Sequence, residues 1–289
     1  MNPTKKRAGL KKVCLSLVLL ISVQTVAPMC LMGQQTGAAQ QPAQGADNEY
    51  LTGATLWTQS SGEWRALAYQ AYNFARILLD QDLRVNRKRR MMRRAVVVDI
   101  DETVLDNSRY QASLVREHKS YPQDWTAWIN RSEAAAVPGA IEFLNYAHRR
   151  GVRVFYVTNR KAIEKEGTRV NLLKLGFPGV SDETLIVRTD ADVSSKEPRR
   201  RRIEQRYRIV LLIGDNLNDF AEAFEKTTIA GRISATDQSK ALFGTRFIML
   251  PNSMYGDWEN SLYEYNFQLT DAEKAARRRS LLKTVGGNP

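Results

Sequence analysis

After Arg94 the chain settles into short, mainly apolar runs at 95–100, 152–157, 185–187, 209–213 and 247–250, interrupted only by Asp99 and Arg153 and separated by segments of helical spacing. Hydrophobicity that is continuous rather than alternating predicts strands covered on both faces. Between the first two runs lies a predicted helix, opened by Pro138 and closed by Gly151, with Ile141, Leu144 and Ala147 along one side. Strand, helix and strand in repetition give an α/β fold, a Rossmann-like parallel sheet flanked by helices. In such sheets ligands bind beyond the carboxyl ends of the strands.

The polar residues that follow these runs are the informative ones. The first run leads into Asp99-Ile100-Asp101-Glu102-Thr103, the second into Thr158-Asn159-Arg160, and the fourth into Gly214-Asp215-Asn216-Leu217-Asn218-Asp219. Lys196 lies in the loop before the fourth run. Acids ending an apolar strand are costly to bury unless a cation compensates them. Asp99, Asp101, Asp215 and Asp219, with one hydroxyl and one lysine, therefore converge on one edge of the sheet. Oxygen donors without a histidine cluster favour a hard ion such as Mg²⁺ over zinc. His118 and His148 are the only histidines, so phosphohistidine chemistry has no supporting partners.

The N-terminus sets the compartment. Lys5, Lys6, Arg7, Lys11 and Lys12 precede an apolar stretch from Val13 to Val23, the layout of a secretory signal, too short for a comfortable membrane span. Two readings stand, a cleaved signal and an uncleaved anchor. Cys14 and Cys30 are the only cysteines, so the exported body is expected to have no internal disulfide. Cleavage before Cys30 would make it a lipidated N-terminus, but Met29 is large for the residue next to such a cut, and ordinary secretory cleavage is the other outcome.

The remainder divides by composition. Residues 1–30 read as signal or anchor, 31–51 as a flexible tether rich in Gln, Gly and Ala, and 52–94 as an N-terminal helical segment. Residues 95–270 form the core, with a helical insertion at about 106–137 as a smaller cap, and 271–289 a basic tail. In the N-terminal helix Ser60 and Glu63 form a capping box, Trp64 to Leu78 recur at helical spacing, and the end falls near Leu83. The net charge of +12 suits an anionic partner or substrate. The basic runs at 84–94 and 199–202 read as solvated linker or helix ends against dedicated binding patches, and no nucleic-acid-binding signature accompanies them.

With DIDET, TNR, the Lys196 loop and GDNLND in that order, the chain resembles the haloacid dehalogenase (HAD) phosphatases. It is most similar to the class C acid phosphatases, the bacterial surface 5′-nucleotidase lipoproteins. The likeness takes in Leu56-Trp57, Ser60 to Glu63, Trp125, Trp128, Val137 to Ala140 and Leu250 to Gly256, almost everything after the tether. The resemblance implies a HAD-like fold, with Asp99 as nucleophile and Asp101 as general acid and base. It also implies Mg²⁺ held by Asp99, Asp215 and the backbone carbonyl of Asp101, with Asp219 in support, and a phosphoryl grip from Thr158 and Lys196 with Asn159 nearby. Trp57, Tyr121, Trp125, Trp128 and Tyr255 are candidates for stacking on a nucleobase or nicotinamide ring, with core packing as the rival reading for each.

The expected function is that of an exported Mg²⁺-dependent acid phosphatase acting on nucleoside 5′-monophosphates, nicotinamide mononucleotide or aryl phosphates. Its location would be the periplasm or the outer-membrane surface, with Cys30 or the N-terminal segment as the means of attachment. A turnover-free basic surface-binding protein on the same fold, and a phosphotransferase using the same intermediate, are the competing readings. Oligomeric state is not legible in the sequence.

Overall fold

The computed structural model describes residues 47–85, 93–189 and 194–286. The apolar N-terminal stretch, both cysteines, most of the Gln-rich segment and positions 86–92 of the basic run lie outside the described residues. Among the described residues no helix is long and apolar enough to cross a membrane.

The five predicted strands form β1 (Arg93–Val98), β4 (Arg153–Lys161), β5 (Leu185–Arg188), β6 (Tyr207–Gly214) and β7 (Phe247–Met249). They make one parallel sheet in the order β5-β4-β1-β6-β7. A separate antiparallel pair, β2 (Leu105–Asp106) and β3 (Ala135–Ala136), brackets the insertion. Along β1 the burial explains the unbroken apolar run. Val96 and Val98 enter one core, Ala95 and Val97 the other, and all four are buried. Successive side chains of a strand point to opposite faces, so where the sheet is covered on both sides, from Ala95 to Val98, the central strand carries no polar residue.

One face is covered by α2 (Gly62–Val85) and α5 (Ala140–Arg149), which contribute Ala68, Tyr72, Leu79, Phe143 and Leu144. The other is covered by Ile203 of α7 (Glu197–Glu204) and by Phe220, Phe224 and Phe243, with α8 (Ile229–Gln238) behind. Helices α3 (Ser108–Arg116) and α4 (Trp125–Arg131) in the insertion have a small core of their own, Tyr110, Leu114, Trp125 and Ile129. Helix α6 (Lys165–Lys174) packs close against α4, because Gly167 lies under the Ile129 carbonyl, where an added Cβ would come within 2.7 Å. At the C-terminal side α9 (Asp257–Leu262) is followed by α10 (Asp271–Ser280), which starts in the segment read as a basic tail. Thr270 and Glu273 cap α10 reciprocally.

Two local expectations shift. The N-terminal helix is two, α1 (Thr52–Ser60) and α2, broken at Ser61 in an extended conformation. The capping hydroxyl is that of Ser61, which accepts from Trp64 N–H at 3.0 Å, rather than that of Ser60. The core-facing stripe Trp64, Ala68, Tyr72, Ala75, Leu79 then carries the helix to Val85, past Leu83.

Candidate active site

β1 lies between β4 and β6, so the loops after these three strands are neighbours at one edge of the sheet. After Val98 the chain turns back tightly: Val104 and Leu105 both donate to the Ile100 carbonyl. Glu102 is held at φ 56°, and its buried carboxylate accepts from Asn107 N–H at 2.9 Å. The Tyr72 hydroxyl of α2 donates to the Thr103 carbonyl at 2.6 Å, fastening this loop to the helical layer. The Thr103 hydroxyl sits between Asp99 Oδ2 at 3.3 Å and Asp215 Oδ1 at 3.2 Å.

Asp99, Asp215 and Asp219 each present a carboxylate oxygen, and the three oxygens lie within 4.8 Å of one another. Asp219 comes this close because residue 214 is glycine: a Cβ there would fall 2.3 Å from Asp219 Oδ2. Asn252, beyond β7, donates to Asp215 Oδ2 at 2.8 Å, and Asn216 N–H donates to Asp219 Oδ2 at 3.1 Å. Lys196, at the N-cap of α7, donates its ammonium to Asp99 Oδ1 and lies 2.7 Å from Asp219 Oδ1.

The acids of this cluster are buried and outnumber the cations paired with them. Burial pushes Asp99 up to about 7, Asp219 and Asp101 adding to the rise and Lys196 opposing it. Asp215 is raised well above the ordinary carboxyl range by burial, then by the charges of Asp219 and Asp99. Glu102 is raised by burial and by Asp101. For Lys196 burial works downward, but Asp219 and Asp99 outweigh it and hold the ammonium above its usual value. Clustered buried oxygen donors, raised by one another's charge, fit a hard divalent cation: its charge would relieve the repulsion that lifts them.

The carboxylate of Asp101 stands apart from this trio and turns toward β4. Arg160, itself buried, forms an ion pair with it at 2.7 Å and also donates to Thr168 Oγ1 at 2.9 Å. Thr158 is fully buried, its hydroxyl 3.4 Å from Asp101 Oδ2 and accepting from Arg160 N–H at 3.1 Å. Asn159 is exposed at the cleft and its Oδ1 accepts from Arg199 at 2.6 Å.

These residues open onto a cleft of ≈ 560 Å³, walled by Tyr121 and Trp125 on the insertion side and by Tyr255, Tyr263 and Phe267 on the other. The N-terminal residues from Asp47 to Leu51 contribute to it as well, with Tyr50 stacked against Arg278 at 3.6 Å and its hydroxyl donating to Glu259 at 2.8 Å.

Against the sequence reading, the four acids, Lys196, Asn159 and Tyr255 come together as expected. Trp57 does not line this cleft; it is half-buried and packs against the main core. Trp128 is likewise turned inward, its indole N–H donating to Asn107 Oδ1 at 2.9 Å. Neither His118 nor His148 lines the cleft.

The reading of 199–202 as solvated also needs correction. Arg199 and Arg200 are buried. Arg199 donates to the Thr158 carbonyl at 2.7 Å and Arg200 to the Asp219 carbonyl at 2.8 Å. Arg201 and Arg202 stay exposed. The missed signal is helical spacing, because Arg199 and Arg200 stand three and four positions after Lys196 and share its face.

Comparisons with known proteins agree with this geometry. The family profile described as HAD superfamily, subfamily IIIB (Acid phosphatase) matches residues 18–258. The structure of the class C acid phosphatase from Bacillus anthracis superposes with a TM-score of 0.78 at 43% identity, covering 82% of this chain and 98% of that one. The same phosphatase with tungstate bound gives 0.77, also at 43% identity and with the same coverage. The stem 28 kDa and 31 kDa glycoproteins of Glycine max are each 29% identical over 184 residues, 60% of this chain. The match spans 65% and 57% of their respective lengths. A profile covering most of the chain, a near-complete structural match and the order in which the acids leave β1 and β6 all agree: the chain belongs to the acid phosphatases of HAD subfamily IIIB.

Proposed function

We propose that the protein is an exported Mg²⁺-dependent acid phosphatase that hydrolyses small phosphomonoesters through an aspartyl phosphate on Asp99. The observation that carries this reading is the placement of Asp99. It ends the central strand in contact with Lys196, within one carboxylate cluster with Asp215 and Asp219, and two residues from a second acid that stands apart from that cluster. A nucleophile and a separate acid at one strand end are what a two-step displacement requires.

In this reading the Asp99 carboxylate attacks phosphorus, and Asp101 gives a proton to the leaving oxygen. Asp101 then takes a proton from the water that releases phosphate. Lys196 lies beside the attacking carboxylate, where its charge meets the equatorial oxygens of the transferring group. Asn159, exposed at the cleft, adds a donor. Thr158 acts mainly by ordering its loop, since its hydroxyl is engaged within the fold. Asp99, Asp215 and Asp219 would hold Mg²⁺, with the Asp101 carbonyl as a further donor. The ion, when bound, lowers the repulsion between carboxylate and phosphate dianion.

Tungstate, which the Bacillus anthracis relative binds, is a tetrahedral oxyanion of phosphate-like shape and supports the assignment. The aromatic walls of the cleft favour leaving groups with a flat ring, such as nucleosides, nicotinamide ribosides or phenols. The N-terminal segment supports export, with attachment through Cys30 or through the segment itself.

The test is phosphate release from nucleoside 5′-monophosphates and an aryl phosphate at acidic pH, with Mg²⁺ or EDTA, beside Asp99→Asn. Release that needs the metal and disappears in the variant is the expected result. A folded, metal-loaded protein that releases nothing from any ester would end this reading and favour a surface-binding role.

A further inference from the structure

The Asp101 carboxylate is held asymmetrically. Oδ1 receives three donors: Arg160 Nη2 at 2.7 Å, Asn107 Nδ2 at 2.9 Å and Arg160 Nε at 3.0 Å. Among the described residues Oδ2 has more distant donors, Arg160 Nε at 3.3 Å and the Thr158 hydroxyl at 3.4 Å. The clamp is itself fixed. Arg160 is buried, bonds Thr168 at 2.9 Å and lies 5.6 Å from the Trp125 ring. Asn107 is fully buried and accepts from the Trp128 indole. Asp101 by contrast lines the cleft.

A carboxylate oxygen has room for about two donors in its lone-pair directions. With three converging on Oδ1, a proton placed there would point at N–H groups. We infer that Arg160 is a positioning residue which, with Asn107, reserves Oδ1 of Asp101 as an acceptor, so that the proton exchanged with substrate is carried on Oδ2. This rests on the acid role given to Asp101 above. In the first step Asp99 forms its bond to phosphorus as the P–O bond to the leaving group breaks, and the bonding pair departs with that oxygen. The proton on Oδ2 moves to the same oxygen. In the second step water bonds to phosphorus, Asp99 leaves, and the water proton returns to Oδ2. Arg160 takes no part in bond making; it fixes where Oδ2 stands.

A poor leaving group, such as a nucleoside 5′-hydroxyl, needs that proton as the bond breaks, and a good one, such as 4-nitrophenolate, does not. The experiment is therefore the ratio of kcat/KM for a nucleoside 5′-monophosphate to that for 4-nitrophenyl phosphate, measured on one preparation of the Mg²⁺-loaded protein. The ratio is independent of the folded fraction, so a destabilised variant remains readable. Arg160→Gln is expected to lose ~10²-fold on the nucleotide and under ~10-fold on the aryl ester, the scale of general-acid assistance. Arg160→Lys, which keeps the charge but not the fork, should fall between and serves if the glutamine variant does not fold. Asp101→Asn is the reference for complete loss of the acid. An Arg160 ratio within about twofold of wild type, with Asp101→Asn shifting it, overturns the positioning role. An unshifted ratio in Asp101→Asn overturns it together with the acid assignment, while metal-dependent, Asp99-dependent release would still stand.

Discussion

Removing the divalent ion should steepen the fall of stability with rising pH. In the metal-free protein burial lifts Asp99 from its ordinary 3.8 to about 7, and Asp215 is lifted in the same direction. A carboxyl whose folded-state value lies above its unfolded one binds more protons when folded. Its stabilisation is full below the unfolded value and is lost as pH rises through the folded one. For Asp99 that window runs from about pH 4 to about pH 7. Between pH 5 and pH 7.5 the loss from Asp99 alone comes to about 2–3 kcal/mol at ~1.4 kcal/mol per pH unit. A chain of this size moves ~2–4 °C per kcal/mol, so Tm should fall by ~5–10 °C over that interval in EDTA. Asp82 and Glu197 are lowered by their arginine partners and lose stability only as pH falls, below this range. With Mg²⁺ the decline should flatten, since the ion competes with those protons and binds best where they are absent. Thermal melts at several pH values, with EDTA or Mg²⁺, read this directly. Asp215→Asn is the control, and it should melt higher than wild type at pH 7.5 in EDTA and gain nothing from Mg²⁺. A metal-free Tm that is level or rises from pH 5 to 7.5, with no gain in Asp215→Asn, would refute the electrostatic account of the cluster.

Three further substitutions probe the same construction. Lys196→Met leaves Asp99 and Asp219 without their shared ammonium, and urea unfolding with Mg²⁺ present should show a loss of about 3–5 kcal/mol along with a collapse in kcat. Gly214→Ala puts a Cβ against Asp219; a cost of ~1–3 kcal/mol and weaker Mg²⁺ binding by titration calorimetry are expected. Arg199→Met removes the charged donor to the Thr158 carbonyl, so about 1.5–3 kcal/mol should be lost in denaturant melts and activity should drop with Mg²⁺ affinity little changed.

The sheet was legible because a strand buried on both faces leaves a local record. The runs at 95–100 and 209–213 cannot be anything solvated, and the acids that end them have no apolar use. Their convergence followed from parallel-strand geometry alone. What stayed hidden depends on contacts across long separations. Asn252 reaches Asp215 from beyond β7, and nothing in the letters Pro-Asn-Ser-Met announces it. Arg160 follows the second apolar run, and the sequence holds no sign that its guanidinium grips Asp101. Trp57 shows the opposite limit. An aromatic at helical spacing suits a cleft and a core equally, and only the packing of α1 decides for the core. The cap at Ser61 rather than Ser60 is a one-residue error between adjacent serines of equal capping strength.

The basic cluster after Lys196 shows how composition misleads when periodicity is ignored. Four consecutive arginines suggest a solvated surface, yet a helix divides them by face. Lys196, Arg199 and Arg200 fall on one side of α7, and Arg201 and Arg202 on the other. The inward pair meets two different loops, Arg199 at the end of β4 and Arg200 at the end of β6. Since both arginines leave the same helix turn that carries Lys196, the ammonium is referenced to the two loops that flank Asp99. Placing a lysine between two buried carboxylates requires tight positioning, because a small displacement would leave an unpaired charge in a low-dielectric site. Rigid attachment of α7 to both loops meets that requirement. It also accounts for the burial of these two charges: Arg199 donates to the Thr158 carbonyl in β4 and to Asn159 Oδ1, and Arg200 donates to the Asn218 and Asp219 carbonyls beyond β6 and to Glu197.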